Sequence, residues 1–290
     1  MNDSLSKAAD AQGTLFVVAT PIGNLADLSK RALEVLSSVC LVLAEDTRHS
    51  KRLFNHYGIS TKLRACHEHN EAQLVEFVYQ QLEAGNDLAL ISDAGTPLIS
   101  DPGFVLVRTL RERGCNICAV PGPSSLIAAL SIAGLPTDAF VFDGFLSAKG
   151  PARRVQLERY LAQTRTTVLF ESSHRILACL MDIQKVLGNE RRVVVARELT
   201  KKFETVLDGS AEELIEIIQG DEDQRRGEFV VMIAGAPKTT VGEPELEHML
   251  TILLEELPLK QASNLAARLT ASRKNDVYQL ALKIKQQNQV

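Results

Sequence analysis

The sequence predicts an α/β protein: two sheet-containing domains followed by a small helical one. Three observations carry that expectation. Through the first half of the chain, short β-branched runs alternate with amphipathic stretches. After Pro136 the strand-like runs crowd together, and from Glu245 a helical pattern continues with no strand in it. Alternation of strand and helix indicates a mostly parallel sheet covered by helices, whereas crowded strands indicate antiparallel pairs and so a mixed second sheet. The expected bounds are 14–136 and 137–237 for the α/β domains and 245–290 for the helical tail, with 235–244 as a linker. The length of 290 residues, at about 150 per domain, leaves room for two real cores.

In chain order, strands are expected at 14–19, 39–44, 62–65, 87–91 and 116–120, and helices at 28–37, 51–57, 71–84 and 103–113. In 71–84, Leu74, Val75, Val78 and Leu82 recur at helical spacing, and Gly85-Asn86 stops the run. The second domain reads as strand 139–145, helix 152–162, strand 166–171, helix 174–187, and strands at 192–198, 203–208 and 228–234.

Composition excludes several classes. The 32 Lys+Arg against 36 Asp+Glu give a net charge of −4, which excludes a protein basic all over. Hydrophobic residues at 45% and charged ones at 23% exclude wholesale disorder. Residues 1–13 are polar, with no apolar core of a secretion signal. The longest apolar runs, such as 15–19 and 39–44, fall far below the ~18–20 residues of a membrane span. Five cysteines, an odd number without a disulfide-framework spacing, agree with a cytoplasmic protein. The charge is unevenly placed: 149–175, with Arg153, Arg154, Arg159 and Arg165, and 258–290, with Lys260, Arg268, Arg273, Lys274, Lys283 and Lys285, are both net positive. Such segments are ordinarily solvated helix faces, but two of them suit a partner built of phosphates.

Ligands of open α/β sheets bind beyond the carboxyl ends of the strands. Those ends are Thr20–Asn24 (TPIGN), Ala44–Arg48 (AEDTR), Ser92–Pro97 (SDAGTP) with Asp101–Gly103 (DPG), and Pro121–Pro123 followed by Ser124 and Ser125. Turn formers are common in any such loop. Four small-residue loops on one edge imply a binding site, because small residues let a ligand approach the backbone. Neither a phosphate-cradling G-x-x-x-x-G-K-[ST] loop nor a G-x-G-x-x-G dinucleotide fingerprint is present.

Together these motifs resemble the tetrapyrrole-methylase (class III methyltransferase) superfamily. Leu169–Arg175 (LFESSHR) and Ala196–Lys201 (ARELTK) resemble its ribosomal RNA small subunit methyltransferase I branch. The resemblance implies two α/β domains with S-adenosylmethionine in the cleft between them. It also implies methylation of a cytidine ribose 2′-oxygen in the decoding region of 16S ribosomal RNA, within the small ribosomal subunit, by a homodimer. On it, Pro21 and Ile22 floor the cofactor site, and the Asp93-Ala94-Gly95-Thr96 turn and Ile99 hold the amino-acid or ribose part. Ser124 and Ser125 add contacts, and Glu171 and Leu199 lie on the adenosine side.

Methyl transfer to a hydroxyl benefits from a general base. Glu45, Asp46, Glu171 and His174 are candidates, with Asp46 and Glu171 preferred. Arg48, Arg197 and Lys201 are expected to orient a phosphate or stabilise an alkoxide. Arg153, Arg154, His174, Lys260, Arg273 and Lys274 are expected to meet the RNA. The bland alternative for Asp46 and Arg48 is that they fix their own loop. No metal is expected: Cys115 and Cys118 lie along a strand at a spacing that separates their sulfurs, and His67-Glu68-His69 reads as a polar loop. Two rival functions share the sequence, a methyltransferase for a tetrapyrrole acceptor such as a precorrin and a non-catalytic ribosome-assembly factor.

Overall fold

The structure, a computed structural model, describes residues 12–237, 243–270 and 272–287. Most of the polar leader at 1–13 and the middle of the linker at 235–244 lie outside the described residues. The chain forms two compact units, Met1–Gly235 and Ala236–Val290.

The first unit contains both sheets. Strands β1 (Thr14–Val18), β2 (Leu41–Ala44), β3 (Leu63–Ala65), β4 (Leu88–Ile91) and β5 (Asn116–Val120) pair in parallel in the order β3-β2-β4-β1-β5. β4, Leu-Ala-Leu-Ile, is buried at every position, as a central parallel strand covered on both faces must be. The alternation of side chains sends Val42, Ala89 and Ile91 to one face, against Leu36 and Phe54. Leu43, Leu88 and Leu90 go to the other, against Val78, Leu82 and Leu110. The covering helices are α1 (Lys30–Ser38), α2 (Thr47–Tyr57), α3 (Glu71–Glu83) and α4 (Phe104–Glu112), followed by α5 (Ser125–Ile132). α2 begins four residues earlier than the sequence predicts, because the Asp46 carboxylate accepts the Arg48 N–H and caps it.

The second sheet comprises β6 (Phe140–Phe145), β7 (Thr166–Ser172), β8 (Arg192–Arg197), β9 (Thr205–Ser210) and β10 (Glu228–Ile233), in the order β6-β7-β10-β8-β9. β6 and β7 are parallel and the other pairs antiparallel, the mixed sheet that the crowded strands predict. One face carries α6 (Gly150–Glu158), α7 (Ile176–Leu187) and α8 (Ala211–Gly220), closed by Leu157, Leu180, Ile183 and Leu214. The opposite face, Val168, Val194, Val230 and Met232, packs against Leu126, Ala129 and Leu130 of α5. α5 thus leaves the first sheet and binds the second.

Helix α8 was not anticipated. Its signal is a capping box at Ser210-Ala211-Glu212-Glu213, in which the Glu213 N–H donates to Ser210 Oγ (3.2 Å) and the Ser210 N–H donates to Glu213 Oε2 (2.8 Å).

The second unit is a three-helix cluster of α9 (Glu243–Glu256), α10 (Leu259–Thr270) and α11 (Lys274–Gln287). They meet around Leu250, Ala266, Val277 and Ala281. Among the described residues no helix is long and apolar enough to cross a membrane.

Ser210→Ala is expected to lower stability by about 1 kcal/mol, the usual worth of an N-cap. Urea unfolding should show a lower midpoint with an unchanged slope; an unchanged midpoint would show that α8 does not depend on its cap.

Candidate functional site

Because β1, β2, β4 and β5 are parallel, their carboxyl ends gather on one edge, and hydrogen bonds tie the loops there. Thr20 and Gly95 exchange backbone hydrogen bonds of 2.9 and 3.0 Å, and Thr96 Oγ1 donates to the Pro123 carbonyl (3.1 Å). The Asp46 N–H donates to Asp93 Oδ1 (3.0 Å), and the Asp93 N–H to Glu45 Oε2 (3.3 Å). Gly95 has φ +81°, and a Cβ there would come within 3.3 Å of Ile22 Cγ2.

Against this edge lies a cavity of about 420 Å³, within the usual range for a small-molecule site. Ile22 and Ser125 come to it from the first half, and Phe145, Phe170, Glu171, Leu199 and Phe229 from the second. A smaller recess of about 60 Å³ shares Ser125 and Phe170 with it and is completed by Ala94, Gly95, Thr96, Ile99, Asp101 and Ser124. The structure therefore brings together Ile22, Ala94, Gly95, Thr96, Ile99, Ser124, Ser125, Glu171 and Leu199. Pro21 and Asp93 instead line a separate cavity of about 260 Å³ beside His49 and Arg52.

Backbone strain concentrates here. The non-glycine residues with positive φ among those described are Leu98 (71°), Ser100 (67°), Glu198 (51°) and Thr200 (66°). They flank Ile99 and Leu199, which line the recess and the cavity. Such conformations cost on the order of 1–3 kcal/mol each and persist where the surroundings over-determine them, commonly at ligand sites.

Several charged residues do something other than expected. Asp46 caps α2 and holds Arg48 at 2.8 Å, so the bland alternative for this pair describes it. The Arg48 hydrogen bond keeps the Asp46 carboxyl well below the usual carboxylate range, which makes it a poor base. Glu171, 1% exposed at its side chain, accepts from the Ser172 N–H (2.8 Å) and lies 3.0 Å from the Arg175 guanidinium, so it too is committed.

Arg153 faces the core of α6, where its 5% exposed side chain pairs with Asp182 at 2.7 Å; Arg154 pairs with the same carboxylate at 2.9 Å. Burial raises the Asp182 carboxyl, but the hydrogen bonds from Arg154 and Arg153 more than offset it and leave it below its ordinary value. Arg197 is buried and donates to the carbonyls of Arg226 (2.6 Å) and Phe203 (3.3 Å). Lys201 is held between Glu198 (2.7 Å) and Glu228 (2.9 Å). Arg153 and Arg197 are thus buried in structural hydrogen bonds, and Lys201 is engaged by two carboxylates. His174 is exposed and borders a surface pocket with Arg225 and Arg226. Lys260, Arg273 and Lys274 are exposed on the helical unit.

Asp101, of the DPG motif, lines the recess, a placement that the motif's turn residues alone do not signal. Cys115 is buried and Cys118 is partly exposed, and both are free thiols. The rings of His67 and His69 stand 5.9 Å apart. Among the described residues no group of three His, Cys, Asp or Glu side chains is placed to hold a metal ion.

A cavity walled by two α/β halves, with main-chain turns on one side and aromatic walls on the other, is the architecture of the tetrapyrrole-methylase class of methyltransferases. Residues 14–215 match the family described as Tetrapyrrole (Corrin/Porphyrin) Methylases, and residues 240–285 match the RsmI C-terminal HTH domain. A Pseudomonas aeruginosa protein named Ribosomal RNA small subunit methyltransferase I is 54% identical over 93% of this chain and 97% of its own. Its namesake from Escherichia coli O157:H7 is 48% identical over 95% and 96%. The chain belongs to the ribosomal RNA small subunit methyltransferase I family. Among solved structures, the Thermus thermophilus uroporphyrin-III-C-methyltransferase superposes with a TM-score of 0.54 at 21% identity, covering 77% of this chain and 94% of that one. The methyltransferase CobJ superposes with 0.57 at 14%, covering 77% and 95%; both share the fold.

Asp182→Ala would leave Arg153 buried without its partner. A loss of about 3 kcal/mol is expected, read as a lower denaturation midpoint. A midpoint within experimental error of the parent would show that the pair is not structural.

Proposed function

We propose that this protein transfers a methyl group from S-adenosylmethionine to the ribose 2′-oxygen of a cytidine in the decoding region of 16S ribosomal RNA, acting as a homodimer on the small ribosomal subunit. The observation that carries the reading is the near-full-length identity with relatives named for small-subunit ribosomal RNA methylation. The site supports it in its chemistry.

The residues present fit the cofactor. Phe145, Phe170, Ile22 and Leu199 offer apolar and aromatic walls for a flat base, while the 94–96 turn and the Ser124-Ser125 helix start offer main-chain donors and acceptors for polar ends. The small side at Gly95 keeps the passage between Ile22 and that turn open. When bound, S-adenosylmethionine supplies an electrophilic methyl on a sulfonium. What the chain must add is alignment of the acceptor oxygen, exclusion of water and a sink for the hydroxyl proton. The exposed cations Lys260 and Arg268 of α10, Arg273 just before α11, and Lys274, Lys283 and Lys285 of α11 suit a phosphate backbone. Ile127 and Ile132, exposed on α5, suit the contact surface of a homodimer.

Labelled-methyl transfer to small-subunit particles, naked RNA and a precorrin tests the reading. Transfer to the RNA-containing acceptors at a cytidine ribose is expected. Transfer to the precorrin alone would make this a tetrapyrrole enzyme, and RNA binding without transfer would make it an assembly factor.

Two variants probe the parts. Gly95→Val adds a branched side chain at φ +81° against Ile22 and should abolish cofactor binding by calorimetry; near-native affinity would refute the loop's assignment. A cut after Pro258 would split the α9–α10–α11 core, so the triple reversal Lys260→Glu, Arg273→Glu and Lys274→Glu is the cleaner probe of the tail. It should weaken RNA binding, flatten its salt dependence and spare cofactor affinity; an unchanged salt slope would show that these cations do not meet RNA.

A further inference from the structure

We propose that Asp101 is the group that accepts the hydroxyl proton during methyl transfer, an assignment that rests on the function proposed above. Several carboxylates gather at the carboxyl edge of the first sheet and the cavity beyond it. Asp46 is bound by Arg48 and caps α2. Glu171 is bound by Arg175 and the Ser172 N–H. Glu45 accepts the Asp93 N–H, and Asp93 accepts the Asp46 N–H, so both serve as braces between the loops after β2 and β4. Glu71, from α3, accepts the Gly103 N–H at 2.8 Å and fixes the DPG turn from below. Asp101 has no arginine or lysine among the groups that act on it: it lines the recess with Thr96, Ser124 and Ser125, hydrogen-bonds the Ser92 hydroxyl and feels the negative charges of Glu45 and Asp93.

The recess is where the loop strained at Leu98 and Ser100 presents Ile99, so the backbone that delivers Asp101 is itself held in a costly conformation. Phe170, from β7, closes the recess with an apolar wall and carries no charge. Burial pushes the Asp101 carboxyl up; the Ser92 hydrogen bond lowers it, and the negative charges of Glu45 and Asp93 raise it further, to about 6. A carboxylate so placed is ionised at neutral pH and more basic than an ordinary aspartate, which is the requirement of a general base.

As the O–H bond of the acceptor ribose breaks, its proton passes to an Asp101 carboxylate oxygen and the oxygen's electron pair forms the new O–CH₃ bond. The S–CH₃ bond breaks with its pair left on sulfur, turning the sulfonium into a neutral thioether. The proton then leaves to solvent and restores the carboxylate.

Asp101→Asn keeps size and the capacity to bond Ser92 but removes the proton sink. Methyl transfer to small-subunit particles should fall by roughly 10²–10⁴-fold in kcat, with KM for S-adenosylmethionine and its calorimetric affinity within about twofold of the parent. The parent's rate should rise with pH through about 6, and that limb should vanish in the variant. A second readout needs no activity. A carboxyl whose folded value lies above its unfolded one disfavours folding once ionised, so the variant should melt higher than the parent above pH 6, the difference closing below pH 4. An acid limb retained by Asp101→Asn, or a loss explained wholly by weaker cofactor binding, would overturn the assignment while leaving the proposed function intact. A parent that methylates no RNA would overturn both.

Discussion

The site depends on one apolar contact, the packing of α5 onto the inner face of the second sheet. Leu126, Ala129 and Leu130 lie against Val168, Val194, Val230 and Met232, with Ile22 and Leu199 at the margin. Burial of each large side chain contributes about 1.5–3 kcal/mol, enough in sum to fix the two halves of this unit against each other. α5 starts at the end of β5, where the Ser124 side chain accepts the Ile127 N–H. The residues that start the helix are therefore also walls of the cavity. The packing that joins the halves and the walls of the site thus share residues.

The strained loops make sense within that constraint. Leu199 reaches the cavity from a turn whose neighbours both have positive φ, and the turn is clamped: the Thr200 N–H donates to Glu204 (2.6 Å), and Lys201 bridges Glu198 and Glu228. The stem of Lys201 lies over Gly23, where a Cβ would come within 2.4 Å of its Cγ, so a side chain at this position of the TPIGN loop would have to displace the lysine. A lysine expected to serve a phosphate instead joins the two halves.

The architecture was legible because apolar periodicity and turn residues report burial directly. The strands at 116–120 and 166–171 and the helix at 71–84 end within a residue or so of where the structure places them. Helix α8 was missed although Ser210-x-x-Glu213 marked its start, since its acidic first turn resembles a loop until the capping box is sought. The loops of the cavity were legible from their small residues. The roles of charged side chains were not, because a sequence shows a charge without its partner. Arg153 sits one turn from buried Leu157, a spacing that marks its inward face, but its partner Asp182 lies 29 residues away and is not visible in that run. Pro21 and Asp93 likewise belong to the same loops as Ile22 and Ala94, yet alternation of direction along the chain sends them to another cavity.

Charge in this protein therefore divides by depth. In 149–175, Arg153, Arg154 and Arg175 are drawn into pairs with Asp182 and Glu171, leaving Arg159 and Arg165 facing solvent. In α10 and α11 the interior is alanine-rich, Ala262, Ala266, Ala267 and Ala281, which lets the helices approach closely and leaves no room inside for a cation. Every lysine and arginine of those two helices is consequently exposed. An excess of positive charge that looked the same in both segments becomes a structural device in the first and a surface in the second. The difference follows from whether a buried carboxylate is there to receive it.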